Sequence, residues 1–225
     1  MRVITFACQK GAAGKTTLAG HIGVQAELAG AGPVAFLDTD QQGALAEWWN
    51  QRQAELPAFA QTVIERIGDD IGQLRQLGFG LGVIDSASAV TPTVEAVIAV
   101  ADLVVIPCRP SPHDLRAAGP TIDMAQRLGK PYVFVLNGAD EGAAITEEAA
   151  AVLAQAGRVS PVRVHNRYDY AESMYDGLTV MEVDPTGESA REMLELWAYL
   201  SGLLSGAEVK APRKTPFGGR GAAAR

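Results

Sequence analysis

Cysteine is scarce in this chain: Cys8 and Cys108 are the only two. Two thiols so far apart give neither a disulfide framework nor the paired spacing of a metal site, and both fit small buried residues near strand ends in a reducing cytoplasm. Long apolar runs are missing as well; none approaches the roughly 20 residues that a bilayer-spanning helix needs. No signal-peptide pattern opens the chain, because Met1-Arg2-Val3-Ile4-Thr5-Phe6 leads straight into a strand. Internal repeats and any sign of a second folded domain are lacking too. Positive charge is in short supply, with a net charge of −7, but the deficit is uneven. Residues 206–225 carry Lys210, Arg213, Lys214, Arg220 and Arg225 against Glu208, a local charge of +4 that leaves −11 on residues 1–205. An acidic body of residues 1–205 followed by a basic, Gly/Pro/Ala-rich and disordered tail is the expected organisation, and such a tail suits contact with a polyanion.

What is present is a packed α/β pattern. With 225 residues, 48% of them hydrophobic, the chain can bury one substantial core. Near-continuous apolar runs read as buried parallel strands at Val3–Ala7, Pro33–Asp38, Gly80–Asp85, Leu103–Pro107 and Tyr132–Asn137. Helical patterns fill the intervals at Lys15–Ala29, Ala44–Gln53, Asp69–Leu77, Val94–Val100, Asp114–Leu128 and Glu147–Ala156. A short edge strand is expected near Val159–Val164. A last helix, Ser189–Leu204, turns Met193, Leu196, Trp197, Leu200 and Leu204 to the core. This alternation predicts a doubly wound, mostly parallel sheet flanked by helices, with ligands at the carboxyl ends of the strands.

The first strand is followed by Lys10-Gly11-Ala12-Ala13-Gly14-Lys15-Thr16-Thr17. Glycines let backbone N–H groups turn toward phosphate oxygens, and the helix that follows points its positive end at the same anion. Lys15 is spaced to reach β- and γ-phosphates, and the Thr16 hydroxyl to hold Mg²⁺. Lys10 is different, because a lysine just ahead of the cradle cannot easily reach its own γ-phosphate but can reach that of a face-to-face copy. Three carboxylates close neighbouring strands: Asp38 and Asp40 in Leu37-Asp38-Thr39-Asp40-Gln41-Gln42-Gly43, and Asp85 in Val83-Ile84-Asp85-Ser86. Strand-end carboxylates beside a phosphate loop suit water-mediated Mg²⁺ binding and orientation of an attacking water.

The usual loop pattern wants glycine where this chain has Gln9, and the lysine-led variant resembles the deviant Walker A loop of the ParA/MinD ATPases. Within that family the chain looks like the small ParF-like plasmid-partition type. It shares Asp38-Thr39-Asp40 before glutamine, the segment Ile106-Pro107-Cys108-Arg109-Pro110-Ser111-Pro112-His113-Asp114-Leu115-Arg116-Ala117-Ala118-Gly119, and Asp176-Gly177 before the last helix. The resemblance covers residues 1–204. It implies a P-loop NTPase fold with ATP and Mg²⁺ bound. The nucleotide-contacting residues would be Lys10, Gly11, Ala12, Ala13, Gly14, Lys15, Thr16 and Thr17. Lys10, Lys15 and Asp40 would be catalytic, with Asp40 positioning the hydrolytic water. Thr16, Asp38 and Asp85 would serve the metal. Asn137 would contact adenine, and His165-Asn166-Arg167-Tyr168-Asp169 would border the base. Ala12 departs from the family's second glycine, Gln41 replaces a proline, and Ser86-Ala87-Ser88 replaces Thr/Cys-Pro-Pro.

The resemblance further implies an ATP-dependent homodimer that binds DNA without sequence preference, through Arg158, Arg163, Arg167 and Arg191, with Arg167 in a DNA-contacting position of the family. It implies a cytoplasmic, nucleoid-associated protein that partitions or positions a plasmid, a chromosome region or a large protein assembly. A ParB-like or centromere-binding-type activator would stimulate hydrolysis to ADP and phosphate. A MinD-like membrane cycle is the first alternative. It is disfavoured because the tail holds only Phe217 and Val209 as large apolar groups, with Pro212 and Pro216 against a helix. A metabolic enzyme of the dethiobiotin-synthase type is the second.

Overall fold

The computed structural model describes residues 1–88 and 92–206. The strands are β1 (Arg2–Phe6), β2 (Val34–Asp38), β3 (Ala58–Phe59), β4 (Leu81–Asp85), β5 (Leu103–Cys108), β6 (Tyr132–Ala139), β7 (Arg158–Val159) and β8 (Val164–His165). They form one sheet in the order β3-β2-β4-β1-β5-β6-β7, with β8 also on β6, and every pairing is parallel. Parallel strands buried on both faces must be apolar throughout, which is why β4 and β5 are buried from end to end.

One face of the sheet is covered by α1 (Lys15–Leu28), α2 (Ala44–Asn50), α8 (Asp169–Tyr175), α9 (Val180–Val183) and α10 (Glu188–Leu204); the other by α3 (Ile67–Gln76), α4 (Pro92–Val100), α5 (Pro112–Ala117), α6 (Gly119–Arg127) and α7 (Ala144–Ala156). Met193, Leu196, Trp197 and Leu200 of α10 are buried against α1 and the sheet, as their spacing predicts. Helix α1 lies unusually close to β2: a Cβ on Gly23 would fall 2.1 Å from the Phe36 ring. No larger residue fits there without moving the helix that carries the phosphate loop.

Two expected elements are divided, and proline divides both. The expected helix Asp114–Leu128 is α5 and α6, broken at Ala118-Gly119-Pro120, because Pro120 has no N–H to continue the first helix. The expected strand near Val159–Val164 is two short pieces, β7 and β8, on either side of Pro161. Strand β3 and helices α8 and α9 have no counterpart among the expected elements. The expected tail lies outside the described residues from 207 onward. Among the described residues, no helix is long and apolar enough to cross a membrane.

Candidate phosphate-loop site

The sheet register gathers the site. β4 pairs with both β1 and β2, placing Asp85 opposite Phe6 on one side and Asp38 on the other. The loop after β1 therefore runs directly above two strand-end carboxylates. Gly14 closes this loop at φ +91°, and Ala12 stands at φ 59°, the one non-glycine residue with positive φ among the described residues. That left-handed conformation costs an L-residue about 1 kcal/mol, so alanine in place of glycine here is strained rather than rearranged.

Lys15 is buried at 6% exposure, and its Nζ donates to Ser88 Oγ at 2.6 Å and to the Lys10 carbonyl at 3.5 Å. Its amine thus folds back over its own loop. Lys10 behaves otherwise: its side chain is 40% exposed and its Nζ pairs with Asp114 Oδ2 at 2.9 Å. The two lysines of one loop point to different places.

Thr16 donates to Asp85 Oδ2 at 2.5 Å, while Asp85 Oδ1 is buried with no partner among the described residues. Burial raises the Asp85 carboxyl to about 7; the Thr16 hydrogen bond and Lys15 pull the other way, and the nearby Asp38 and Asp40 charges add to the rise. An orphaned buried carboxylate oxygen behind a threonine hydroxyl fits a hard cation held through water.

Both Asp38 oxygens are taken by backbone: Oδ2 accepts from Leu45 and Ala46 at 3.1 and 3.2 Å, and Oδ1 from Asp40 at 3.0 Å. Asp38 therefore caps α2 and sets the position of Asp40. It offers no oxygen free of a backbone donor, whereas Asp85 does. Asp40 accepts from Gln42 N–H at 3.1 Å and lines a cleft of about 620 Å³ between α2 and α3, together with Phe59, Thr62 and Arg66.

Asn137 comes to the same edge. Its Nδ2 donates to the Ala13 carbonyl at 2.8 Å, so it clamps the back of the phosphate loop. A Cβ on Gly14 would sit 2.0 Å from this amide, so the third glycine position serves the clamp as well as the turn.

The four arginines do not form one cluster. Arg158 is exposed and pairs with Val133, whereas His165 pairs with Ala139, six residues and roughly 20 Å further along β6. Arg163 donates to the Ser160 carbonyl at 2.5 Å. Arg167, at the position where the resemblance places a DNA contact, is ion-paired to Glu188 at 2.7 Å and Glu192 at 3.2 Å. Glu192 also takes His165 Nδ1 and Tyr170 OH, both at 2.7 Å, which makes it the hub of the loop on α10. Arg191 is exposed.

Ser88 and Asp114 were not among the expected site residues. Ser88 lies in a segment notable only as a departure from pattern. Asp114 had a readable signal: Ser111-Pro112-His113-Asp114 is a helix start, with serine at the cap and acid at the third position.

A family model for the VirC1 protein matches residues 1–129. The chain belongs to the VirC1 family. The maintenance of carboxysome distribution protein A of Halothiobacillus neapolitanus is 28% identical over 192 residues, covering 81% of this chain and 88% of that protein. A chain of the Aquifex aeolicus MinC:MinD cell division protein complex superposes with a TM-score of 0.75 at 16% identity, over 90% of this chain and 96% of the other. An ATP complex of Cyanothece McdA gives 0.71 at 18% identity, over 94% and 99%. This VirC1-family chain therefore has the ParA/MinD fold with a deviant Walker loop, as its sequence resemblance implies.

Proposed function

We propose that the chain is an ATP-hydrolysing switch: two copies join around ATP, and cleavage to ADP and phosphate releases them. One observation carries this reading. Lys15 turns into its own cradle, while Lys10 stands outside it, half-exposed and able to serve another molecule. Across a dimer, Lys10 offsets repulsion between two triphosphates and stabilises charge developing on the partner's γ-phosphate. A cation supplied in trans in this way is worth about 10³–10⁵ in rate in other NTPases.

Lys15 and the loop N–H groups of residues 11–17 bind the phosphates, clamped from behind by Asn137. Thr16 and Asp85 would hold Mg²⁺, which would supply charge neutralisation for the phosphoryl oxygens. Asp40, fixed by Asp38, orients the water. ADP lacks the group that both lysines share, so the two nucleotide states differ in the contacts that hold the dimer.

The same reading includes sequence-independent DNA binding, with Arg158 and Arg191 as the exposed contributors, residence on the nucleoid, and an activator protein of the ParB or centromere-binding kind. Relatives named for carboxysome distribution favour a large protein assembly as cargo over a plasmid. Size-exclusion chromatography with light scattering in Mg²⁺-ATP tests the core of it. Lys15→Ala is expected to lose nucleotide binding. Lys10→Ala is expected to bind ATP and stay monomeric; a Lys10→Ala dimer as tight as wild type refutes the switch.

A further inference from the structure

The phosphate-loop lysine that stands outside its cradle is not idle in the single chain. Its Nζ rests 2.9 Å from Asp114 Oδ2, and the same oxygen accepts from Ser111 Oγ at 2.5 Å. Ser111 caps α5, accepting the Asp114 N–H at 3.2 Å, with Pro112 at the start of the helix. The side chain of Asp114 is therefore fixed by the helix start itself. It is 5% exposed, and its other oxygen is buried with no partner among the described residues. Burial alone pushes the Asp114 carboxyl up, but the hydrogen bonds from Ser111 and Lys10 and the charges of Lys10 and Arg109 hold it below the usual range. Such a carboxylate is costly to bury once its close cation leaves; without Lys10 it keeps one hydroxyl and the more distant charge of Arg109.

We propose that Asp114, braced by Ser111, is a positioning residue that latches Lys10 to its own subunit and so sets the ATP concentration at which two copies join. This rests on the reading that Lys10 acts across a dimer. In the latch, Lys10 must give up a preorganised partner before it reaches another molecule's phosphate, so nucleotide-free or ADP-bound chains are kept apart. Only a triphosphate in the facing subunit offers enough negative charge to compete. Each dimer opens two latches and binds two nucleotides, so below saturation of the single chain the ATP midpoint for dimerisation shifts by the factor for one latch. For a half-exposed ion pair that factor is about fivefold, more if the buried carboxylate dominates.

The test titrates a non-hydrolysable ATP analogue with Mg²⁺ against wild type, Asp114→Asn, Ser111→Ala and Lys10→Ala, reading mass by light scattering. Asp114→Asn is expected to dimerise at an analogue concentration at least about fivefold lower than wild type. Ser111→Ala should move the same way by a smaller factor and stands in if Asp114→Asn folds poorly. A midpoint unchanged or raised in both variants overturns the latch while leaving the trans role of Lys10 intact, provided Lys10→Ala remains monomeric. Dimerisation of Lys10→Ala at the wild-type midpoint overturns the trans role and the latch with it. A second measurement needs no nucleotide: acylation of Lys10 by an amine-reactive reagent, quantified by mass spectrometry. Freed from its carboxylate, Lys10 should react severalfold faster in Asp114→Asn, and equal labelling overturns the latch.

Discussion

Asp85→Asn is expected to make the metal-free chain more stable while disabling its site. In the folded chain the Asp85 carboxyl titrates at about 7, against 3.8 for the free side chain. Three units of difference correspond to about 4 kcal/mol. The folded state holds this proton between about pH 4 and 7 while the unfolded chain has released it. Stability from this group is therefore present at low pH and lost as pH rises through 7. Asparagine has no proton to lose, but its amide would face the position where Asp85 Oδ1 has no partner, at a cost of about 1–3 kcal/mol. The balance at pH 8 is a gain of about 1–3 kcal/mol, roughly 0.5–1 M in urea midpoint for a domain of this size.

His21 gives the experiment its control. It is fully buried, hydrogen-bonded to Thr17 O at 2.8 Å and packed on the Tyr170 ring, and burial lowers it to about 4. There the unfolded chain binds the extra proton, so stability falls as pH drops from 6.5 to 4, by about 3 kcal/mol. The two slopes oppose each other across the same window. Wild type is expected to be nearly flat between pH 4 and 7 in EDTA, Asp85→Asn to lose stability toward acid, and His21→Asn to lose it toward neutrality. Urea melts every half unit of pH measure all three. An Asp85→Asn variant less stable than wild type at pH 8, with a parallel pH curve, would refute the account of that carboxylate.

Other expectations follow from the same contacts. Asp40→Ala keeps the cradle and should bind ATP but accumulate as a trapped dimer, read by light scattering after prolonged incubation with Mg²⁺-ATP. Ala12→Gly removes the strained left-handed alanine and should raise stability by up to about 1 kcal/mol, measured by denaturant melts. Arg158→Glu and Arg191→Glu should weaken ATP-dependent retention on non-specific DNA and flatten its salt dependence without changing the melt. Arg167→Glu should instead lower the melting temperature, since it would set a third carboxylate against Glu188 and Glu192.

The strands were legible because burial on both faces demands unbroken apolar runs, and the phosphate loop because its glycines, lysines and hydroxyls have few other uses together. The three aspartates were legible as a group at one edge, but not their division of labour. That Asp38 caps α2 while Asp85 keeps an orphaned oxygen depends on register and on the direction of α2. β3 was invisible because two residues carry no periodicity, and α8 because its polar face and short length resemble a loop. Arg167 shows the limit of reading charge from sequence: the glutamates that neutralise it lie 21 and 25 positions away, on another element.

Asp38 also has a mechanical meaning. One carboxylate grips the first turn of α2 with one oxygen and the backbone of Asp40 with the other. The short helix and Asp40 are consequently tied together through one side chain at the end of β2. With Asp40 orienting water as proposed, a shift of α2 would re-aim it, and the cleft between α2 and α3 that Asp40 lines would be the place from which to cause that shift.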